Sequence, residues 1–201
     1  MSSIVPEARP RLSYSDLRPR IEDAGLDIDS HPVFVAGIRG YYTKSMGDAA
    51  SNDRGIYDDA IFLVSPAFFG AYNGNTDPGV RRPGRGFGAN KGMARLKPGV
   101  WLSYRFDNHG SKSGPYPAIC QRAADVTVIR DGIDGDYEQT GRFGINIHRG
   151  AWNRTSSLGC QTIYPAQWDS FITSAHDQAR RFHGARWKSV TIPYVLLVEA
   201  E

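Results

Sequence analysis

The sequence has little cysteine and no long apolar segment, and both shortages narrow its class. Only two cysteines occur among 201 residues, Cys120 and Cys160, which is too few for a disulfide-stabilised scaffold, although a single disulfide is compatible with the sequence. CxxC pairs and HExxH signatures are missing, so we expect no metal site and no cofactor. No run of about 18 apolar residues occurs, and we therefore expect no membrane span.

The N-terminal segment, MSSIVPEARPRLSYSD, has no apolar core of the kind that a signal peptide requires. We therefore expect synthesis in the cytoplasm without a signal peptide. The formal net charge is +3, from 24 basic and 21 acidic residues, and this small excess does not predict a nucleic-acid partner.

The composition predicts a mainly β, α+β fold with short strands and many turns. It includes 22 Gly and 12 Pro, together with 10 Tyr and 9 Phe. We expect an N-terminal extension over residues 1–30, followed by one catalytic domain over residues 31–201. Apolar or alternating segments predict strands at 32–42, 60–65, 100–106, 124–132 and 190–199.

Two segments have helical patterns. The first covers Ser15 to Ala24, with Ser15 as the predicted N-cap and Gly25 after its end. The second begins at Pro165 and ends before Gly184. Its apolar positions recur at helical spacing and predict a face that packs in the core: Trp168, Phe171, Ile172, Ala175, Ala179 and Phe182.

The segment 72–99 has the most unusual composition in the chain. It holds seven glycines, three prolines and six basic residues against one acid, Asp77. Such a segment is compatible with a solvated structural loop or with a mobile basic flap over an anionic substrate. Its RRPGRG core is also similar to RNA-binding arginine-glycine segments, but no base-stacking array accompanies it, and we do not predict RNA binding.

The segment 143–162, FGINIHRGAWNRTSSLGCQT, contains the candidate catalytic residues. Residues 143–148 alternate, which predicts a strand with its isoleucines toward the core and His148 on the accessible face, with Asn146 behind it. Cys160 follows a glycine in a turn, and the N–H groups around Gly159 and Cys160 could form an oxyanion hole. A free thiol is mostly protonated at neutral pH, so an adjacent imidazole would generate the nucleophile.

The order of an upstream histidine, S-x-G-C, a helix and a final strand resembles the catalytic domain of L,D-transpeptidases. The matching residues are His148, Ser157, Gly159 and Cys160. The resemblance implies a sandwich-like β domain in which Cys160 is the nucleophile and His148 the general base. It also implies that the backbone around Gly159 and Cys160 is the oxyanion hole and that Ser157 shapes the turn.

The same resemblance implies a peptidoglycan stem peptide as substrate and a thioester on Cys160 that an amine or water resolves. Five further residues are candidates for supporting the site or binding substrate: Asn146, Arg149, Trp152, Ser157 and Arg142. The sequence departs from the family pattern at Leu158, Gln161 and Thr162, and Thr162 replaces an arginine that handles a substrate carboxylate. Arg142, Arg149, Arg154 or the segment 72–99 could take over that task.

Three functions remain open from the sequence. We favour hydrolysis by a lysin-like peptidase, such as a phage endolysin, because an enzyme that builds cross-links normally carries an export signal. Its site of action would be the cell wall or periplasm after release. The alternatives are an L,D-transpeptidase that forms cross-links and a non-catalytic module that binds an anionic polymer. We expect Cys120 to be a buried structural thiol.

Overall fold

The computed structural model describes residues 3–48 and 51–199. In these residues two α-helices accompany eleven strands, and the predicted mainly β, α+β class is confirmed. The helices are α1 (Tyr14–Asp23) and α2 (Pro165–His183). The strands are β1 (Phe34–Arg39), β2 (Asp59–Ser65), β3 (Phe68–Asn75), β4 (Ala94–Leu96), β5 (Gly99–His109), β6 (Tyr116–Gln121), β7 (Val126–Arg130), β8 (Tyr137–Gly141), β9 (Ile147–Arg149), β10 (Gln161–Ile163) and β11 (Ile192–Val198).

Eight strands form one sheet that closes on itself, in the order β1-β11-β5-β6-β9-β10-β3-β2. The β1–β11 and β9–β10 pairs are parallel, and the other neighbours run antiparallel. The closed arrangement differs in detail from the expected sandwich, because the core is enclosed by one continuous sheet. Successive residues of β1 pack in different clusters, Val35 in the main core and Phe34 and Ala36 in a second one.

The second cluster lies between the sheet and α1. Leu17 and Ile21 of the helix are fully buried there. The N-cap is Ser13 and not the predicted Ser15, because the Ser13 hydroxyl accepts the Asp16 N–H. Gly25 follows the helix with a φ of 97°, as its predicted role requires.

The helix α2 packs its apolar face into the main core, as predicted. Trp168 and Phe171 are buried there, and Phe182 is partly buried against the same cluster. Gly184 caps the helix with a φ of 55°. The helix contacts β2, β3 and β9, so it supports the sheet directly behind the histidine-bearing strand.

The segment 72–99 is more ordered than a mobile flap. It contains the end of β3 and all of β4, which joins β7 and β8 in a separate three-stranded sheet. The part between them is tied to the turn at 131–138. Asp131 accepts hydrogen bonds from the Arg54 guanidinium and the Arg82 N–H, and ion pairs join Arg85 to Asp134.

The strand predictions at 32–42, 60–65, 100–106, 124–132 and 190–199 are confirmed by β1, β2, β5, β7 and β11. The prediction for residues 143–148 is wrong over most of its length, since only Ile147 and His148 belong to β9. Gly144 adopts a φ of 71°, which interrupts the extended conformation before the strand begins.

Candidate functional site

The parallel pair β9–β10 places the histidine and the cysteine on neighbouring segments of the sheet. His148 lies opposite Thr162 in the register, and the Gln161 N–H donates to the Asn146 carbonyl at 2.8 Å. Cys160 precedes Thr162 by two residues and lies just outside β10, where its Sγ is 3.3 Å from the Asn146 backbone nitrogen and from the Gly144 carbonyl oxygen. The offset along the strands is roughly 7 Å, because each residue advances the strand by about 3.3 Å.

His148 does not lie on an open face, contrary to the sequence-based prediction. Its side chain is only 5% exposed, because the rings of His109 and Tyr116 cover it. The covering side chains come from β5 and β6, which follow each other across the sheet. The accessible edge of the site is therefore at Cys160, which is partly exposed, rather than at the imidazole.

The hydrogen bonds of His148 define its tautomer. Nδ1 lies 2.8 Å from the carbonyl oxygen of Arg149, which can only accept, so Nδ1 carries the proton. The Tyr116 hydroxyl lies 3.2 Å from the same nitrogen. This leaves the lone pair on Nε2, the nitrogen that could take a proton from a substrate or a thiol.

Burial lowers the pKa of His148 to about 4, and the neighbouring His109 contributes to the shift. The imidazole is consequently neutral throughout the physiological pH range. A neutral imidazole can act as a base, whereas an imidazolium cannot.

His109 is a site residue that sequence reasoning missed. Its ring stacks on that of His148 with centroids 4.0 Å apart and an interplanar angle of 9°. The sequence pattern around His109 does not indicate this role, because His109 lies in the turn-like sequence DNHGSKSG and its partner His148 is remote in the chain. Only the pairing of β5 with β6, and of β6 with β9, brings the two rings together.

Asn146 connects the two histidines to the thiol. Its Oδ1 accepts the Gln121 N–H at 3.0 Å, which orients the amide so that Nδ2 donates to His109 Nδ1 at 3.1 Å. Its own backbone N–H donates to Cys160 Sγ at 3.3 Å. Asn146 is 7% exposed, and its network is therefore shielded from solvent.

The thiol of Cys160 is held by backbone groups. Sγ accepts from the Asn146 N–H and donates to the Gly144 carbonyl at 3.3 Å. Burial raises the pKa of Cys160 to about 11, and only the Asn146 N–H opposes this shift. No hydrogen bond joins Sγ to His148 in the described part of the chain, so the predicted thiolate–imidazole pair is not preformed.

Both cysteines are free. Cys120 lies on β6 and is fully buried, and burial raises its pKa to about 11. It is therefore a packed thiol, as expected, and lacks the partial exposure of Cys160.

Ser157 braces the turn before the cysteine. Its hydroxyl donates to the Cys160 carbonyl at 2.7 Å and accepts the Gly159 N–H at 3.0 Å. The Gly159 N–H is thus already engaged, which corrects the prediction that it contributes to an oxyanion hole. The Cys160 N–H has no acceptor within the described residues and remains available for that role.

Gly159 fits a position that only glycine can occupy without strain. Its φ is 139°, and a Cβ atom would collide with the carbonyl oxygen of Ala94. The turn at residues 157–160, which we call the thiol turn, therefore packs directly against β4 of the three-stranded sheet.

The other predicted residues surround the pair at greater distance. The Arg149 guanidinium lies over the Tyr116 ring, 5.2 Å from its centroid. Trp152 is 61% exposed and packs edge-on against Tyr164. Arg142 donates to the carbonyls of Arg122 and Ala123 and pairs with Asp125 at 3.4 Å. None of these three side chains forms a hydrogen bond with the thiol within the described residues.

No family model matches the chain, and no characterised protein and no solved structure is significantly similar to it. Within residues 3–48 and 51–199, no helix is long and apolar enough to cross a membrane. The same residues contain no group of three potential metal-ligating side chains. The site combines a partly exposed cysteine, a neutral imidazole with a free nitrogen, and a backbone N–H of Cys160 without an acceptor among the described residues.

Proposed function

We propose that this protein is a cysteine acyl-transfer enzyme that acts on peptidoglycan stem peptides. The observation that supports this most directly is that the partly exposed Cys160 and the buried, neutral His148 lie on neighbouring segments of the sheet, offset by roughly 7 Å along the strands. The stem peptide as substrate rests on the resemblance of His148 and the Ser157–Cys160 segment to L,D-transpeptidases. This substrate places the site of action at the cell wall or periplasm.

In the first step, Cys160 Sγ attacks the carbonyl carbon of the scissile amide. The thiol proton passes to His148 Nε2 and from there to the leaving amine, so that the C–N bond breaks as the C–S bond forms. The Cys160 N–H donates to the oxygen of the tetrahedral intermediate. Since thiol and imidazole are not hydrogen-bonded at rest, the proton moves when substrate has entered, directly or through one water molecule.

In the second step, water or an amine attacks the thioester carbonyl carbon. His148 accepts the proton of the attacking group and returns a proton to the departing sulfur, which restores the resting thiol. Attack by water releases a shortened peptide, and attack by an amine makes a cross-link. We propose hydrolysis as the main outcome.

The experiment incubates the wild-type protein, Cys160→Ala and His148→Ala with defined muropeptides and identifies the products by mass spectrometry. Shortened peptides would show hydrolysis, and cross-linked or amine-exchanged peptides would show transfer. Both variants should lose activity to a similar extent, because members of one catalytic unit act together. A His148→Ala variant at the wild-type rate would exclude His148 as the base.

A second candidate function is that of a non-catalytic module that binds an anionic polymer. It is favoured by the missing hydrogen bond between Cys160 and His148 and by the pKa of about 11 for the thiol. The same incubation separates the two proposals. Unmodified muropeptides, together with no covalent adduct of the wild-type protein with a carbapenem, would favour the binding module.

A further inference from the structure

A basic groove lies beside the turn that carries Cys160. Its volume is about 310 Å³, and its walls include Arg82, Lys91, Arg130, Arg142, Phe143 and Leu158. Two further lining residues, Ala94 and Ile145, are the immediate neighbours of Gly159. The groove therefore opens next to the segments 143–146 and 157–160 that hold the thiol.

The charges in the basic groove are all of one sign. Four of its lining residues are basic and none is acidic. Arg82 and Lys91 form no ion pair with any described residue, and Arg142 has one long contact, 3.4 Å, to the exposed Asp125. By contrast, other bases of the segment 72–99 are compensated by carboxylates of the 131–138 region, including Asp134, Asp136 and Glu138.

Arg130 is the deepest of the four bases. It is only 3% exposed, and its guanidinium lies over the Phe143 ring, 5.2 Å from the centroid. Nη1 donates to the Gly92 carbonyl at 2.8 Å and Nε donates to Gln139. Within the described residues it has no carboxylate partner, and its hydrogen bonds involve Nε and Nη1 but not Nη2. A buried guanidinium without a counter-charge is costly, and an anionic ligand would offset that cost.

The remaining walls are apolar. Leu158, which directly precedes Gly159, lines the groove and is 74% exposed. Phe143 also lines the groove, and its ring lies under the Arg130 guanidinium. An exposed leucine next to a cluster of bases suits a ligand that combines an aliphatic portion with a negative charge. Peptide residues with a free carboxylate have this combination.

We propose that the basic groove binds a free carboxylate of the peptide substrate, with Arg130, Arg82 and Lys91 as its partners and with Leu158 and Phe143 against the adjoining aliphatic carbons. This inference rests on the proposed function. It assigns carboxylate binding to the basic groove, because Thr162 occupies the position of the arginine in the resembling family and carries no charge. The groove lies beside Gly159, so a peptide anchored there extends toward the sulfur of Cys160.

The test compares two ligands for the Cys160→Ala protein, which cannot turn them over. One is a stem peptide with free carboxylates, and the other is the same peptide with its carboxylates amidated. Amidation should weaken binding about tenfold or more, because it removes the charge-assisted hydrogen bonds of the carboxylate. Equal affinity for both peptides would overturn the proposal.

Substitutions then locate the charge recognition. In the Cys160→Ala background, the change Arg82→Ala with Lys91→Ala should reduce the effect of amidation to about threefold or less. The matched control, Arg105→Ala with Lys44→Ala, removes the same charge from exposed positions outside the groove and should leave the tenfold effect intact. An amidation effect that persists in the groove variant, or disappears in the control, would contradict the assignment.

A further variant, Arg130→Gln, should also reduce the effect of amidation, provided that circular dichroism shows that it folds. If it does not fold, the variant with Arg82→Ala and Lys91→Ala still tests the proposal. Turnover by the wild-type protein is measured separately with the same peptides. Carboxylate-dependent binding without products would refute the acyl transfer and leave the groove assignment in place. Products without a carboxylate preference would refute only the groove assignment.

Discussion

At the scale of single residues, the site rests as a neutral thiol beside a neutral imidazole. Burial raises the pKa of Cys160 to about 11 and lowers that of His148 to about 4, so neither group is charged at neutral pH. In the proposed mechanism the thiolate therefore forms only after substrate has bound. The stacked His109 belongs to this arrangement, because a charge on either ring disfavours a charge on the other.

Replacing His109 should raise the pKa of His148. The change His109→Ala removes the second imidazole and admits water to the covered ring, and both effects favour the imidazolium. The pKa is measured by an NMR titration of the His148 ring. The matched control is His176→Ala, which removes a half-buried histidine that packs against Phe106 and Trp187. An unchanged His148 pKa in His109→Ala would show that the stacking is only steric.

His148 should also make stability depend on pH. Its folded pKa of about 4 lies below the ordinary value of 6.5, so the unfolded chain binds the proton more readily between these values. The contribution is complete above pH 6.5 and is lost as the pH falls to about 4, by about 3 kcal/mol. The free energy of unfolding of the wild type should therefore fall more steeply than that of His148→Asn over this window.

The comparison with His148→Asn is necessary because buried carboxyl groups act in the opposite direction. Burial raises the pKa of the neighbouring Asp58 and Asp59 carboxyl groups, so their contribution to stability decreases as the pH rises above about 4. These groups are present in both proteins, and their effect cancels in the difference. Parallel pH profiles for the two proteins would refute the assigned shift of His148.

At the scale of elements, the thiol turn depends on its contact with β4. Gly159 lies against the Ala94 carbonyl, and Ser157 fills the inside of the turn with its hydroxyl. The segment 72–99 therefore acts as a wall of the site through β4 and the basic groove.

The substitution Gly159→Ala should destabilise the protein more than Gly86→Ala. Both glycines have positive φ, and an alanine incurs a backbone cost of about 1–2 kcal/mol at Gly86, with a φ of 61°, and about 1–3 kcal/mol at Gly159, whose φ of 139° lies outside the left-handed helical region. Only at Gly159 does the added Cβ also meet backbone, which adds about 1–3 kcal/mol; at Gly86 no atom lies within 4 Å. Thermal and urea unfolding measure the difference. Equal losses in the two variants would show that the turn is not packed against β4.

At the scale of the whole molecule, composition and periodicity predicted the β-rich class, both helices and five strands. They missed β3, β4, β6, β8 and β10, because strands that are short or contain glycine, proline and polar residues are defined by non-local pairing rather than by their own pattern. For the same reason the sequence could not place His109 on His148. The glycine turn before Cys160 is a local signal, whereas the alternation of residues 143–148 predicted a strand that begins only at Ile147.

Trapping the acyl-enzyme intermediate tests most directly whether acyl transfer passes through Cys160. The wild-type protein is mixed with a stem peptide, quenched in acid and analysed by intact-protein mass spectrometry with peptide mapping. We expect an adduct with the mass of the acyl fragment, carried by the peptide that contains Cys160, and no adduct in Cys160→Ala. An adduct on Cys120, or full turnover by Cys160→Ala, would contradict the account.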